Sequence, residues 1–586
     1  MTKYKRGIYY SLVLCVISFV LYLPSLDNKL VWDDSDAINK KHYKYQGFIN
    51  LLTPQQKSKK GNYYRPTVYL SYFIDQTLWG NKPFGYHLSN LIFNTVTVIL
   101  LFWFVYFFFS NFKPNYSSYN IAFISSLVFA LHPMHVESVS WIAGRTDVLC
   151  TLFLLMGLLF HLKSYKKVVY IPFAILAFYL SLLSKELAVV FIPLVLLTDL
   201  VTNQLKNKNN AVKYILYLSI FILYMYLRSK SFVNITPISE KNVNVAASAD
   251  ILRYLDMFVV LVSSYYSYLY KLLFPIEFNA FISEVTKDLY YLVPSFIVLT
   301  LVFLAFIYSL IKRVKLIYYV IFWILISLGP SILLTLIKMT PTSLAERYLY
   351  LPSVAFAMGT GYLFYKYVFS RVSLRYSCVF ITILVLFYAL LNINRQSVWY
   401  DDLSLWSTTT VASSNTCLPY NNYGVALKRN GRIDEAIRQY EYVVNNKNIK
   451  CRDAVRALVY NNLGTAYIKI DQQSKGRETF KKAMELNEYY HSPHLNLGID
   501  YLLTALETKS ISEFEYAKQY FNNSISIRPN SGISHHYLSI AYKETGDLKN
   551  ARIHASRALE LGIPPAQKND ALRILDEIQN SDSKEN

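Results

Sequence analysis

Residues 88–109 read LSNLIFNTVTVILLFWFVYFFF, an apolar run that carries no charge. A helix of that length crosses about 30 Å of hydrocarbon. Stretches of the same kind recur near 8–25, 119–136, 147–162, 168–184, 187–201, 214–232, 290–311, 316–337, 348–368 and 376–393, and one more apolar stretch lies near 251–274. With 53% hydrophobic and 17% charged residues, the chain is too apolar to be soluble along its whole length. Most of it belongs in lipid.

The net charge of +21 does not point to nucleic acid, because the cations fall in short clusters between the apolar stretches. These are Lys3, Lys5 and Arg6; Lys163, Lys166 and Lys167; Lys206, Lys208 and Lys213; Lys312, Arg313 and Lys315; and Arg371 and Arg375. Placing all of them in the cytoplasm fixes the orientation and lets eleven stretches cross. Residues 251–274 then enter and leave on the far side, as a re-entrant or interfacial segment where Asp256 and Lys271 are tolerable. Ile8 to Leu23 lacks a small-residue cleavage site and reads as a span rather than a signal peptide. An odd number of crossings puts everything after Asn394 outside the cytoplasm.

Beyond Asn394 the composition turns polar and repeats appear. YNNYGVAL (420–427), YNNLGTAY (460–467), HLNLGIDY (494–501) and HYLSIAY (536–542) align on Tyr423-Gly424, Leu463-Gly464, Leu497-Gly498 and Leu538-Ser539. Gly464 and Gly498 stand one tetratricopeptide period apart, and a second-helix signature follows each segment. Four such repeats stack into an α-solenoid with a concave face. The expected organisation is a membrane domain over 1–394, a linker over 395–412, four repeats over 413–562 and a polar tail over 563–586. Cys417 and Cys451 lie in the repeat part, where they either pair in an oxidising compartment or remain two thiols. Cys15, Cys150 and Cys378 sit in apolar segments and make no metal-ligand spacing with histidine.

The unusual polar residues of the membrane part all map to the non-cytoplasmic ends of the spans. Charge near membrane depth is costly and marks a pathway or a site. KLVWDDSDAIN (29–39) offers Asp33 and Asp34 just beyond the first span, at the start of a polar loop that runs to His87. LHPMHVESVSWIAGRTDVL (131–149) brings His132, His135, Glu137, Arg145 and Asp147. Pro133 leaves helix and loop both open there, and the two histidines fit a metal site, substrate hydrogen bonding or a structural polar network. SLAERYLYLPS (343–353) presents Glu346 and Arg347 at a span end; the planar guanidinium suits a lipid phosphate, and a snorkelling anchor paired with Glu346 is the alternative. LSKE (183–186) adds Lys185 as a second phosphate contact or an ordinary interfacial charge, next to Glu186, and NYYRP (62–66) adds Arg65.

DDSDAIN, NYYRPTVYLSYFIDQTLWGNKPFGYHLSNLIFN (62–94), LHPMHVESVSWIAGRTDVL, LSKE and AERYLYLPS, followed by tetratricopeptide repeats, resemble the transmembrane and tetratricopeptide-repeat-containing O-mannosyltransferases and their bacterial relatives. The resemblance covers the whole chain in order. It implies an all-α, GT-C-like polytopic domain followed by the solenoid, a polyprenyl-phosphate sugar donor, mannose as the sugar and transfer to a protein hydroxyl on the extracytoplasmic side. A four-repeat array is short for this family.

Joined to the residues, this gives an inverting transfer. Asp33 or Asp34 is the general base, with a divalent cation held by them as the alternative. Arg347, supported by Lys185 and Arg65, stabilises the leaving phosphate. His87, His132, His135, Glu137, Arg145, Asp147, Glu186 and Glu346 bind substrate or complete the polar network. The repeats hold the acceptor, and the host membrane is a bacterial inner membrane or the endoplasmic reticulum. A non-catalytic membrane scaffold is the competing reading, which the repeats alone favour and the clustered charges of the membrane part oppose.

Overall fold

The computed structural model describes residues 3–38, 64–113, 117–206, 208–231, 249–337 and 342–585. Residues 39–63, the middle of the first polar loop, lie outside the described residues. Two isolated bridges, Ile282 with Leu344 and Thr416 with Lys450, are the exceptions among the described residues to an entirely helical chain. The chain divides into two compact units, Met1–Leu405 and Trp406–Asn586.

In the first unit six described helices are long and apolar enough to cross a membrane: Pro83–Phe112, Ile142–Ser164, Asn210–Ser231, Leu289–Ile311, Lys315–Leu336 and Arg375–Val398. A seventh is the pair Ser118–Leu131 and Pro133–Ser140, bent by 54°. By length and composition the unit is an integral, multi-pass membrane domain. Eleven full-length spans are not what the structure shows. Three of the remaining apolar stretches form only short helices, Ile171–Leu182, Phe191–Val201 and Pro352–Phe364, and Lys3–Leu21 carries Lys5 and Arg6 in its first turns. All but the last residue of 251–274 falls within one 25-residue helix, Ala249–Leu273, which contains Arg253, Asp256 and Lys271 and is not among the six.

Proline sets several boundaries. Pro66, Pro83 and Pro352 sit in the first turn of their helices, where the missing N–H costs nothing. Pro133 cannot continue the helix Ser118–Leu131 and turns the chain through a short 3₁₀ segment, Pro133–His135. The bend keeps the 131–149 run at one end of the bundle. Pro83–Phe112 packs on Ser118–Leu131 and Arg145–Ser164, and its Phe104 and Phe108, fully buried, meet Trp323 and Tyr319 of Lys315–Leu336.

The second unit is four helix pairs and a final helix. The pairs are Cys417–Arg429 with Ile433–Asn445, Asp453–Lys469 with Gln473–Leu486, His491–Thr508 with Ile511–Ile527, and Gly532–Glu544 with Leu548–Leu561. The glycine column makes the pairing close: a Cβ at Gly464 would lie 2.6 Å from Phe480, and one at Gly498 2.7 Å from Phe521. Cys417 and Cys451 are disulfide-bonded, with Cα atoms 5.4 Å apart. Residues 565–585 form a helix, Pro565–Glu585, whose Ile574 and Ile578 pack on Ala551 and Ala555. Residues 395–412 are largely helical too, in the end of Leu374–Val398 and in Asp402–Ala412.

Candidate active site

The first loop is fastened from both ends of the membrane unit. Lys29 N donates to the Tyr400 carbonyl (2.8 Å), the Lys29 ammonium reaches Asp401 (3.3 Å), and Trp32 N donates to Asp402 Oδ1 (2.8 Å). Trp32 takes a left-handed backbone, φ 57°, which turns the chain so that its indole stacks on Trp141, centroids 5.1 Å apart. Trp399 stacks on the same Trp141 at 5.8 Å. Three separate segments thus share one aromatic wall.

The two aspartates that follow Trp32 differ. Asp34 is fully buried and accepts from Val31 N (3.1 Å) through Oδ2 and from Ala143 N (3.0 Å) through Oδ1. Burial pushes its carboxyl well above the usual carboxylate range, against the pull of those two N–H groups. Asp34 therefore staples the loop to the 131–149 run. Asp33 is exposed.

Arg347 lies over Trp141 at 5.3 Å and over Tyr348 at 5.0 Å, and its Nη1 pairs with buried Glu137 at 2.5 Å. Its backbone N–H donates to the other Glu137 oxygen (3.2 Å). Among the described residues no protein group accepts from Nη2 or Nε. Lys185 stands over Tyr348 as well, at 4.9 Å, and donates to both oxygens of Asp147 (2.6 and 2.7 Å). Two cations from distant loops meet at one ring.

Glu346 does not pair with Arg347. Successive residues of the 3₁₀ segment Glu346–Leu349 face different ways, so Glu346 turns to Arg395 (2.8 Å) and Lys271 (3.5 Å) while Arg347 turns to Glu137. Arg65 is bound to Glu186 at 2.8 Å, with Arg228 at 3.7 Å on the other oxygen. Burial alone would raise the Glu186 carboxyl, but the two guanidinium groups outweigh it and bring it down to about 2.

The other residues of the 131–149 run are framework. Arg145 is fully buried and binds Asp75 (2.6 Å), Asn90 Oδ1 (2.7 Å), Ser71 Oγ (3.0 Å) and the Tyr86 carbonyl (2.9 Å). His132 meets the Leu272 carbonyl (3.1 Å), His135 meets Ser353 Oγ (2.7 Å), and the two share a 3₁₀ turn rather than a helix face. His87 is buried against the backbone of Asn28, Lys29 and Ser140, between the first loop and this run. Among the described residues no group of three or more His, Cys, Asp or Glu is arranged to hold a metal ion.

Sequence reading missed the three tryptophans, Tyr348 and Arg395, each too far apart in the chain to form a pattern. It also missed a buried cluster at the end of the unit that bears the basic clusters. There Asp199 accepts from His161 (2.9 Å), Asn210 (3.3 Å) and the hydroxyls of Tyr165 and Tyr214. Unusual polar residues are therefore not confined to the span ends that carry Asp33, Glu137 and Arg347. Its donors come from Arg145–Ser164 and the residue after it and from Lys208–Ser231, so the cluster joins those helices to Phe191–Val201.

A family profile for the tetratricopeptide repeat matches residues 457–490. Protein O-mannosyl-transferase F38B6.6 of Caenorhabditis elegans is 26% identical over 459 residues, covering 74% of this chain and 62% of that protein. Protein O-mannosyl-transferase TMTC3 of Homo sapiens is 24% identical over 582 residues, covering 87% and 59%. This chain is their homologue over most of its length. Protein O-mannosyl-transferase Tmtc3 of Drosophila melanogaster is 32% identical over a shorter 182 residues, 27% of this chain and 20% of that one. The chain spans about three-fifths of the length of the first curated relatives it matches.

Proposed function

We propose that the membrane unit transfers a mannosyl group from a polyprenyl phosphate to a hydroxyl of a protein acceptor on the extracytoplasmic side, and that the repeats bind the acceptor. The observation that carries this reading is the pair of cations, Arg347 and Lys185, that both lie over the Tyr348 ring, with Arg347 also over Trp141 of the aromatic wall that Trp32, next to exposed Asp33, joins. The sugar follows that of the homologous protein O-mannosyl-transferases.

The donor phosphate sits on the unused Nη2 and Nε of Arg347 and on Lys185. Asp33 takes the acceptor's hydroxyl proton as the oxygen attacks the anomeric carbon, and the bond to the phosphate oxygen breaks. Charge that grows on the departing phosphate is met by cations already fixed by Glu137 and Asp147, so little reorganisation is needed at that moment. Indole faces suit the sugar ring, whose C–H surface packs on aromatics.

The repeats sit outside the cytoplasm in this reading. Their disulfide supports it, since such bonds persist in oxidising compartments. Eleven crossings remain the proposed count, a short helix being lengthened by an adjoining segment such as Tyr365–Phe369 after Pro352–Phe364. Ala249–Leu273 does not cross: the Leu272 carbonyl near its end meets His132, and Asp256 near its start pairs with Lys287, just ahead of the helix Leu289–Ile311.

The test is incubation of the purified full chain with labelled polyprenyl-phosphate mannose and an extract containing acceptor proteins, followed by identification of the labelled product. Mannose on serine or threonine of a protein is the expected product. Label that stays on lipid, with Asp33→Asn indistinguishable from wild type, refutes the assignment.

A further inference from the structure

The connection between the first two repeats is longer than those that follow, and it carries chemistry that the proposed transfer does not use. Seven residues, 446–452, join Ile433–Asn445 to Asp453–Lys469, whereas four, 487–490 and 528–531, serve at the two equivalent places further on. Extra residues in a repeat array collect in loops on one face, and that face is often the one that binds.

The long loop is tied at several points. The disulfide Cys417–Cys451 closes it on the start of Cys417–Arg429, Lys450 N donates to the Asn415 carbonyl (2.8 Å), and Cys417 N donates to the Lys450 carbonyl (3.4 Å). Arg456 reaches the carbonyls of Val443 and Ile449 (both 3.3 Å), Asn446 Oδ1 accepts from Asn448 N (3.0 Å), and Ile449 is buried. A plain connector works without such ties. A wall that must keep its shape for a ligand gains from them, because less ordering is left to the moment of binding.

Against this wall stands one stripe of the preceding helix. Arg438, Glu441, Tyr442 and Asn445 are spaced i, i+3, i+4 and i+7, and with Asn446, Lys447 and Asn448 of the loop they line an open cleft of about 650 Å³. Tyr442 leans on Tyr420, ring centroids 4.9 Å apart, and is still 45% exposed. Among the described residues the side chains of Asn445 and Asn448 and Nδ2 of Asn446 have no protein partner.

The lining decides the chemistry of the ligand. Arg438 has Glu435 at 4.0 Å, and Glu441, which accepts from the Tyr467 hydroxyl, opposes Lys447 in sign, so little net field draws a phosphate or a carboxylate. An apolar ligand would strip water from three amides and give nothing back. A side-chain amide offers donors and an acceptor together, which matches neighbouring hydroxyls that each donate and accept. An exposed tyrosine ring beside such amides suits the C–H face of a pyranose.

We infer that this cleft is a carbohydrate subsite that takes one neutral hexopyranosyl unit, so that the repeats hold a polypeptide already bearing a sugar. The subsite stands on the cleft alone. Its place on a mannosylated acceptor rests on the transfer proposed above.

The experiment uses the full chain in lipid nanodiscs with methyl α-D-mannopyranoside, and binding is read by saturation-transfer-difference NMR. The pyranoside C–H protons should receive saturation with roughly millimolar affinity, and the open-chain hexitol mannitol should receive none. Tyr442→Ala and Asn445→Ala should each weaken binding about fivefold or more, while Tyr442→Phe, which keeps the ring, should bind within about twofold of wild type. Both positions are exposed, and thermal unfolding checks that the variants stay folded. No signal from the mannoside, the glucoside or the galactoside on wild-type protein overturns the inference without relying on any variant. A signal that neither alanine change moves puts the sugar elsewhere and overturns it as well, and so does displacement of the sugar by inorganic phosphate. Mannosyl transfer is measured in parallel on a bare serine peptide and on the same peptide carrying one mannose. Hexoside binding without transfer to either peptide counts against the proposed reaction and leaves the subsite standing, whereas transfer without hexoside binding counts against the subsite alone.

Discussion

Asp33→Asn and Asp34→Asn, two neighbouring and chemically identical changes, should fail in opposite ways. Asp33 is exposed, so its amide variant should fold as well as wild type, within the roughly ±0.5 kcal/mol usual for surface changes. Loss of a general base lowers transfer about 10²- to 10⁴-fold. Asp34 offers one carboxylate oxygen to Val31 N and the other to Ala143 N. An asparagine keeps one oxygen and turns an NH₂ toward the second backbone N–H, leaving it buried and unsatisfied. That costs about 1–3 kcal/mol. Because the loop it staples carries Asp33 and Trp32, activity should fall through misplacement, and a Trp32 emission shift should accompany it. The assay pairs initial transfer rates with thermal unfolding of the detergent-purified protein. If Asp33→Asn transfers at the wild-type rate, or if Asp34→Asn loses activity with unchanged thermal stability and Trp32 emission, the division of labour is wrong.

Arg347→Lys should keep a charge beside Glu137 but lose the unused Nη2 and Nε, raising the apparent KM for donor at least about tenfold; an unchanged KM removes Arg347 from the phosphate site. Cys451→Ser should cost the repeat unit about 3–4 kcal/mol, the loop entropy of a 34-residue closure, read by chemical unfolding. In the untreated wild type, thiol labelling should spare Cys417 and Cys451 until reduction. Glu186 has a folded pKa near 2, below its ordinary value of 4.5, so the Arg65–Glu186 tie contributes fully above about pH 4.5 and fades as pH falls toward 2. Glu186→Gln should flatten the pH dependence of thermal stability in that window, and an unaltered curve would show the tie contributes nothing.

Much of the architecture was legible because it rests on local period. The charge-free run 88–109 lies within the helix Pro83–Phe112, and the glycine spacing marked helix pairs that are there. Helix length was less legible: 187–201 is as apolar as a span, yet its helix begins only at Phe191 because the chain enters through a 3₁₀ turn from Glu186. Partner choice was not legible at all. Glu346 and Arg347 are adjacent, and only tertiary structure sends one to Arg395 and the other to Glu137. Asp33 and Asp34 look interchangeable as letters, and burial alone separates them.

The clamp on the first loop also sets a clock. Trp32 waits for a partner 370 residues later in the chain, and at about 5–20 residues per second that is roughly twenty to seventy seconds of synthesis. During that interval the aromatic wall lacks Trp399 and the loop lacks Tyr400, Asp401 and Asp402, so the nascent chain cannot hold its first loop in the finished arrangement. A chain cut at Asn394 would remain permanently in that unfinished state, whereas one ending after Leu405 would keep the whole fastening.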